Sequence, residues 1–445
     1  MNFEKLREIL ETEAKSEGLE HYEIYYTSSE GLNAETLEHE ISSFSSGVSA
    51  GVSFRCVWQG NMGNAATELF EENELRSLVR RAKANAEVIE NGEQAIIFGG
   101  SEKYATVAES VAQMPQVSDI KKLALSIEEQ IYGESELVTE GTQSGVFAES
   151  SRVELANSKG LRLSNKLFVA GAYAQAVVNR EGEAQEAFDF AMGLDETDSL
   201  ASKSVSDAIA KLGASEIPSG KYNIILDGKQ MRAMLSAFSG VFSGKNAMLG
   251  LSLLAGKEGE RVAADCVTLV DDPLMTENGV ATAFDGEGVA TYKKNVIENG
   301  TLKTLLYDLA YAQKAGKEST ANGQRASYAQ QVNIAPFSFY IKGGELSDSE
   351  LLAKMGDGIY VTELKGLHAG ANSVTGDFSI ESAGFAVKGG KLAGAVKGFT
   401  VAGNFFRMLE QIQAVAKDVK FGMPSGFTVY GSPDVLLGEM SVAGK

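Results

Sequence analysis

The sequence has few of the residues that bind metal ions in enzymes. Its 445 residues include only three histidines and two cysteines: His21, His39, His368, Cys56 and Cys266. A zinc site of a hydrolytic enzyme draws on imidazole or thiolate ligands, usually with two of them close together on one helix. His39-Glu40 begins such a motif, but Ser43 and Phe44 occupy the positions where a second histidine would be needed. We therefore expect that this chain cannot hold a catalytic zinc ion by itself.

Basic residues and long apolar runs are also scarce. The 40 lysines and arginines are outnumbered by 60 aspartates and glutamates, which gives a net charge of −20. Such a charge repels the phosphate backbone of nucleic acids, so direct nucleic-acid binding is not expected. No apolar stretch approaches the length needed to cross a bilayer, and the N-terminus is charged where a signal peptide is apolar. Because two lone cysteines also suit a reducing compartment, we expect a soluble cytoplasmic protein that does not contact a membrane.

What the chain does contain is an alternation of helix and strand patterns. Apolar residues recur at helical spacing over residues 2–17, 73–90, 120–132 and 199–212. Strand-like runs lie between them, among them Glu23–Thr27 and Val48–Trp58. These patterns predict an α+β protein, with an N-terminal α/β-layered domain over residues 1–214 and a larger C-terminal domain over residues 215–445. We expect antiparallel sheet to dominate the second domain.

The second half carries clear local signals. A strand at Tyr222–Leu226 precedes a helix at about residues 229–243, with Asp227 as its N-cap. Asn299-Gly300 predicts a hairpin, because this dipeptide supplies the positive φ angles of a type I′ turn. A second hairpin is expected at Lys388–Lys391, and a further helix at Asn404–Lys417.

Residues Gly47–Gly51 match the G-x-S-x-G pattern of a nucleophile elbow. That motif requires a helix directly after the serine, on a strained turn that exposes it. The residues that follow Gly51 alternate like a strand instead. The pattern therefore favours small residues in a strand over a serine hydrolase.

Two acidic stretches place carboxylates close together in the sequence. Asp271-Asp272-Pro273 and Asp285-Gly286-Glu287-Gly288 both suggest a cation site. Neither has the alternating oxygen ligands of a calcium-binding loop, so turn formation is the favoured interpretation.

A glycine-rich segment, residues 366–378, contains the candidate binding residues. His368, Asn372, Thr375 and Asp377 crowd a stretch in which glycine lets the backbone pass close to a ligand or partner. Asp377 could also fix the tautomer of the His368 imidazole. We predict a peptide-cleft or interface role for these four residues, and the alternative is a loop held together by its own hydrogen bonds. No residue of the chain is predicted to be catalytic.

A set of short stretches resembles one protein family, the TldD/PmbA family. They are Leu254–Glu260, Val270–Pro273, Phe284–Val289, Ile297–Leu302, Ala321–Arg325, Gly376–Ser379 and Gly431–Pro433 with the ending Ser441–Lys445. The N-terminal half is similar more loosely, through Val52–Gly63 and the helix that follows. The resemblance covers nearly the whole chain.

The resemblance also distinguishes two types of family member. The TldD type carries His-Glu-x-x-x-His on the helix before the Leu-Ala-Gly-Lys stretch, and a late cysteine as a further ligand. In this chain the corresponding helix, residues 229–243, has no histidine and no glutamate, and no cysteine follows Asn404. The chain is therefore identified as a PmbA (TldE) type member of the family.

This resemblance implies a non-metal subunit of a cytoplasmic metallopeptidase that processes or degrades unfolded peptides. Zinc is expected in a TldD-type partner and no cofactor in this chain, which should be inert alone. The partner is either that subunit or a second copy, and a peptide could add as a strand along an exposed sheet edge. Two alternatives stay open. One is a non-enzymatic protein-binding module, as the family's older label of DNA gyrase modulator suggests. The other is a homodimeric peptidase whose metal is held by carboxylates such as Asp271, Asp285 and Asp377.

Overall fold

The computed structural model describes residues 1–89 and 95–445. The N-terminal part combines helices with long strands. Its described elements are α1 (Phe3–Ser16), β1 (His21–Leu37), β2 (Glu40–Trp58), β3 (Asn61–Thr67), α2 (Glu72–Val88), α3 (Val117–Glu134), β4 (Gln143–Asn157), β5 (Arg162–Arg180), β6 (Glu183–Met192) and α4 (Leu200–Ala210). The four predicted helices are all present. The first begins after Asn2, whose side chain accepts a hydrogen bond from the Lys5 amide.

The six N-terminal strands form one antiparallel sheet in the order β3-β2-β1-β4-β5-β6. Residues of β1 alternate between its two faces, as in any strand. Ile24 and Leu32 point to the face on which the helices pack and belong to its apolar cores. Glu23 and Tyr25 point to the opposite face, where they meet residues of the C-terminal part. One face of this sheet therefore packs against the N-terminal helices, and the other contacts the C-terminal part.

Strands β1 and β2 are much longer than the predicted runs. A two-residue turn joins them at Glu38 and His39, which both have positive φ angles. This dipeptide is not one of the turn sequences that identify a hairpin. The serine-rich part of β2 is exposed on both faces, so it lacks the alternation of apolar and polar residues that predicts a strand.

The C-terminal part is built mainly from sheets. Its elements are β7 (Gly220–Leu226), α5 (Gly228–Phe238), a 3₁₀ turn (Ser239–Phe242), α6 (Gly244–Met248), β8 (Leu269–Asp271), β9 (Lys294–Glu298), β10 (Thr301–Leu302), α7 (Leu309–Lys314), β11 (Gly323–Gln324), β12 (Asn333–Ile334), β13 (Ser338–Ile341), α8 (Asp348–Met355), β14 (Gly358–Lys365), α9 (Leu367–Gly370), β15 (Asp377–Lys388), β16 (Lys391–Asn404), α10 (Phe405–Gln411), β17 (Ile412–Val415), β18 (Lys420–Phe421), β19 (Val429–Ser432) and β20 (Val435–Ala443).

These strands form two six-stranded sheets and one two-stranded pair. The sheet orders are β10-β9-β8-β13-β19-β18, β16-β15-β14-β7-β20-β17 and β11-β12. Only the neighbours β13 and β19, and β7 and β14, run parallel among the described strands. The predicted α+β class with mainly antiparallel sheets is confirmed, and so are both predicted hairpins. Among the described helices, none is both long and apolar enough to cross a membrane.

Two predicted helices of this part are too long. The helix expected at 229–243 begins at Gly228, with Asp227 as its cap, but ends at Phe238 and gives way to a 3₁₀ turn. The helix expected at 404–417 ends at Gln411, and Ile412–Val415 pair as a strand with β20. Burial of β-branched side chains favours the strand there, and tertiary pairing overrides the helical spacing.

Candidate functional site

The four residues predicted for a cleft or interface lie around α9 and the start of β15. All four side chains are exposed. The Asn372 side chain accepts hydrogen bonds from the amides of Val374 and Thr375, which closes a turn. Asn404 donates to the Asp377 carboxylate at 2.9 Å and so ties this turn to β16.

The structure brings three of these residues together but does not join His368 to them. Hydrogen bonds from Asn404 and Thr375 lower the pKa of Asp377. Among the described residues, no hydrogen bond connects Asp377 with His368, so the expected fixing of the imidazole tautomer is absent. An open depression of about 530 Å³ lies here, and Asn372 and Asp377 line it. The cleft or interface role of these residues stays a prediction.

Helix α5 occupies the position where the resemblance implies a zinc site. Its buried face consists of Met231, Met234, Leu235 and Phe238, which pack into the largest apolar core. Thioether and hydrocarbon groups are not zinc ligands in proteins, whereas thiolate, imidazole and carboxylate groups are. Within residues 1–89 and 95–445, no group of three or more His, Cys, Asp or Glu side chains is placed to hold a metal. The buried side chains of α5 therefore do not fit a zinc ion.

The carboxylates named for an alternative metal site have separate partners. Lys294 and Asn322 contact one oxygen of Asp271 at 3.1 and 2.8 Å. Asp285 accepts hydrogen bonds from backbone amides. Asp377 is held in the distant turn by Asn404. The structure does not gather these three side chains into one site.

A buried cluster of charged residues connects the N-terminal sheet with the C-terminal part. Glu23 on β1 and Arg55 on β2 are direct cross-strand partners. Arg55 lies 2.8 Å from the Glu23 carboxylate, and Arg325 from the C-terminal part contacts the same carboxylate. Burial alone would raise the pKa of Glu23, but the charges of the two arginines outweigh it and lower the pKa. Arg325 also lies over the ring of Tyr25, at 4.4 Å from its centre.

Two further acids, Asp285 and Glu287, lie beside this cluster. The amides of Glu287, Val289 and Gly323 donate to Asp285, and the Leu309 amide donates to Oε2 of Glu287. The other oxygen of Glu287 is 3.9 Å from the Arg55 guanidinium, which is beyond hydrogen-bond distance. Burial raises the pKa of both carboxyl groups.

A cavity of about 470 Å³ opens next to Glu287. Both parts of the chain line it, with Asn64 and Asn85 on one side and Lys245, Tyr311 and Gln330 on the other. Because a raised pKa keeps a carboxyl group protonated to higher pH, Glu287 can donate as well as accept a hydrogen bond. The lining of the cavity therefore offers both donors and acceptors of hydrogen bonds.

Sequence reasoning assigned the segment around Asp285 to a turn, and the structure confirms that turn. It missed the contacts with Glu23 and Arg55, because these residues are far away in the sequence. One available signal was Glu23 itself, a charged residue within a strand of apolar and aromatic neighbours. Acids that are buried are normally paired, so a basic partner was to be expected.

Comparison with known families matches the chain in three segments. Residues 219–444 match the PmbA/TldA metallopeptidase C-terminal domain. Residues 22–86 match domain 1 of the same metallopeptidases, and residues 112–212 match their central domain.

Individual proteins are also similar to this chain over much of its length. An uncharacterized protein of Methanocaldococcus jannaschii is 27% identical over 92% of this chain and 94% of its own length. The metalloprotease PmbA of Escherichia coli O157:H7 is 29% identical over 53% of this chain and 49% of its own length. A solved structure from Thermotoga maritima, described as a candidate modulator of DNA gyrase, covers 99% of this chain and 100% of its own, with a TM-score of 0.90 and 27% identity.

Proposed function

The chain belongs to the PmbA/TldD metallopeptidase family, and on this premise we propose that it is the PmbA-type subunit, without a metal of its own, of a peptidase complex. The complex would consist of this chain and a TldD-type subunit that holds the zinc. Its substrates would be unfolded peptides, including precursors of modified peptides. We place this activity in the cytoplasm.

One observation carries the proposal, the donor set of α5. A catalytic zinc ion acidifies a bound water molecule and polarises the scissile carbonyl group. The buried positions of α5 include Met231, Met234 and Leu235, and none of them supplies a zinc ligand. A family member without zinc ligands on this helix could contribute to peptide hydrolysis only through a metal that another subunit holds.

The sheets of the chain support a role in binding the peptide. A strand that adds to a free sheet edge is held by main-chain hydrogen bonds, so its binding tolerates many sequences. This mode requires an extended chain, because a folded substrate has already paired its own backbone groups. Selectivity for unfolded peptide follows from that requirement.

The test is to purify this chain and a TldD-type subunit separately and to measure cleavage of an unstructured peptide. We expect cleavage by the mixture, its loss on chelation of zinc, and no cleavage by this chain alone. Elemental analysis of the untagged chain should find no stoichiometric transition metal. Zinc-dependent turnover by this chain alone would refute the proposal.

A further inference from the structure

Strand β2 has an uncovered edge. On one side β2 pairs with β1 along nearly its whole length. On the other side β3 pairs only with Val52–Trp58. The segment Ile41–Gly51, here called the β2 edge, therefore has no strand on its outer side among the described residues.

The hairpin geometry shows which backbone groups point outward from this edge. Trp58 and Asn61 flank a two-residue turn, so they form a hydrogen-bonded pair between β2 and β3. Hydrogen-bonded and open pairs alternate along an antiparallel ladder. Residues of the same parity as Trp58 therefore direct their N–H and C=O groups away from β1. On the β2 edge these are Phe44, Ser46, Val48 and Ala50.

The pairing of β1 with β2 independently indicates the same outward-pointing residues. Leu37 and Glu40 flank the turn at Glu38 and His39, and a bulge follows in β2. Beyond the bulge, the odd-numbered residues from Ser43 onward form the hydrogen-bonded pairs with β1. The outward amides and carbonyls have no hydrogen-bond partner in the part of the chain that the structure describes.

Apart from the bulge at Ser42, the β2 edge lacks the features that normally protect a sheet edge. Natural proteins place lysine, proline, bulges or a covering element there to prevent pairing with other chains. From Ile41 to Gly51 this chain has no charged residue and no proline, although 22% of all its residues are charged. Residues Ser42 to Ser49 are all exposed, and Val48 retains 79% of its accessible surface.

We propose that the β2 edge binds an extended peptide as an additional antiparallel strand. This inference rests on the proposed function and identifies the surface on which this subunit would hold its substrate. A second copy of the chain is a poorer occupant, because two molecules of net charge −20 repel each other. An uncharged or basic peptide is not repelled in this way. Main-chain pairing at Phe44, Ser46, Val48 and Ala50 would not depend on the sequence of the peptide.

Proline at an outward position tests the proposal. Ser46→Pro removes one outward N–H and leaves the β1 ladder intact, since proline is tolerated on an edge. The matched control is Ala184→Pro on β6, at the opposite edge of the same sheet. Ala184 is exposed, and its amide points away from β5 by the same alternation. The probe is a fluorescein-labelled, unstructured twelve-residue peptide without acidic residues, and the readout is anisotropy.

We expect Ser46→Pro to weaken peptide binding about fivefold, the value of one hydrogen bond, and Ala184→Pro to leave it unchanged. A second measurement uses the wild-type chain and so does not depend on folding of a variant. The same peptide N-methylated at every residue should not bind. Methylation at alternate residues leaves one edge of the peptide free and should preserve binding.

Several outcomes would overturn the proposal. One is equal affinity of the wild type and Ser46→Pro, and another is binding of the fully methylated peptide. A third is a change in molecular mass on Ser46→Pro without a change in peptide affinity, which would make the edge an interface between copies. Peptide binding is measured without cleavage, so a complex that fails to cleave would refute the proposed function and leave this test intact.

Discussion

Asp285 and Glu287 lie two residues apart in the sequence, and both side chains are buried. Their carboxyl groups lie close to backbone amides and guanidinium groups. Burial raises the pKa of each, because the charged form loses its hydration. Glu23, equally buried, has a lowered pKa because two arginines contact it. The pKa values of buried carboxyl groups are thus shifted in opposite directions, according to their partners.

The raised pKa of Glu287 predicts how stability depends on pH. The folded protein binds this proton more tightly than the unfolded chain does, so stability falls as pH rises above about 4.3, the ordinary glutamate pKa. Glu287→Gln removes this dependence and should stabilise the protein by more than about 1 kcal/mol at the alkaline end. Urea denaturation from pH 5 to pH 9 measures it.

The control for this prediction is Glu277→Gln, at an exposed position. The stability of this variant should depend on pH in the same way as that of the wild type. A Glu287→Gln curve parallel to the wild type at every pH would contradict the assignment.

Among the elements, helix α2 and strand β3 approach each other closely at Gly63. A Cβ atom added to Gly63 would lie 1.9 Å from the carbonyl oxygen of Ala82 and 2.6 Å from the amide nitrogen of Ala86. Backbone atoms cannot move aside as a flexible side chain can. The absence of a side chain at Gly63 is therefore what lets this helix lie against the edge of the sheet.

Gly63→Ala should consequently destabilise the protein. Overpacking a tight contact costs about 1–3 kcal/mol, and backbone shifts place this case at the upper end. Gly394→Ala on β16 is the control, because a Cβ atom there meets nothing within 4 Å. Thermal unfolding should show a lower Tm for the first variant only, and equal Tm values would show that α2 can shift without cost.

For the whole molecule, the Glu23 cluster is a deeply buried polar link between the N-terminal sheet and the C-terminal part. Arg325 and Glu23 expose 4% and 0% of their side chains. Removing one member of a buried ion pair leaves the other charge without compensation, which costs more than the pair itself contributes. These few residues therefore contribute strongly to the coupling of the two parts, beside ion pairs such as Lys229–Asp189 and Lys397–Glu183.

Arg325→Met should lower stability by about 3–5 kcal/mol, because Glu23 then keeps only Arg55. Arg152→Met, which breaks an exposed pair with Glu154, should change stability by less than about 1 kcal/mol. The midpoints of urea denaturation measure the change in stability of each variant. The double variant Glu23→Gln/Arg325→Met should lose less than the sum of its single changes, and strict additivity would argue against direct coupling.

By itself, the sequence determined the family, the α+β class, most helices and the lack of zinc ligands on α5. These depend on composition and on local spacing, which the chain carries without folding. Only the tertiary structure decided the lengths of β1 and β2, the change from helix to strand at Ile412, and the hydrogen bond of Asp377 to Asn404. It also brought Glu23, Arg55, Arg325 and Glu287 together. These features arise from pairing and burial between residues far apart in the chain, and local sequence patterns do not encode which distant residues will meet. The domain boundary after residue 214 stays a prediction.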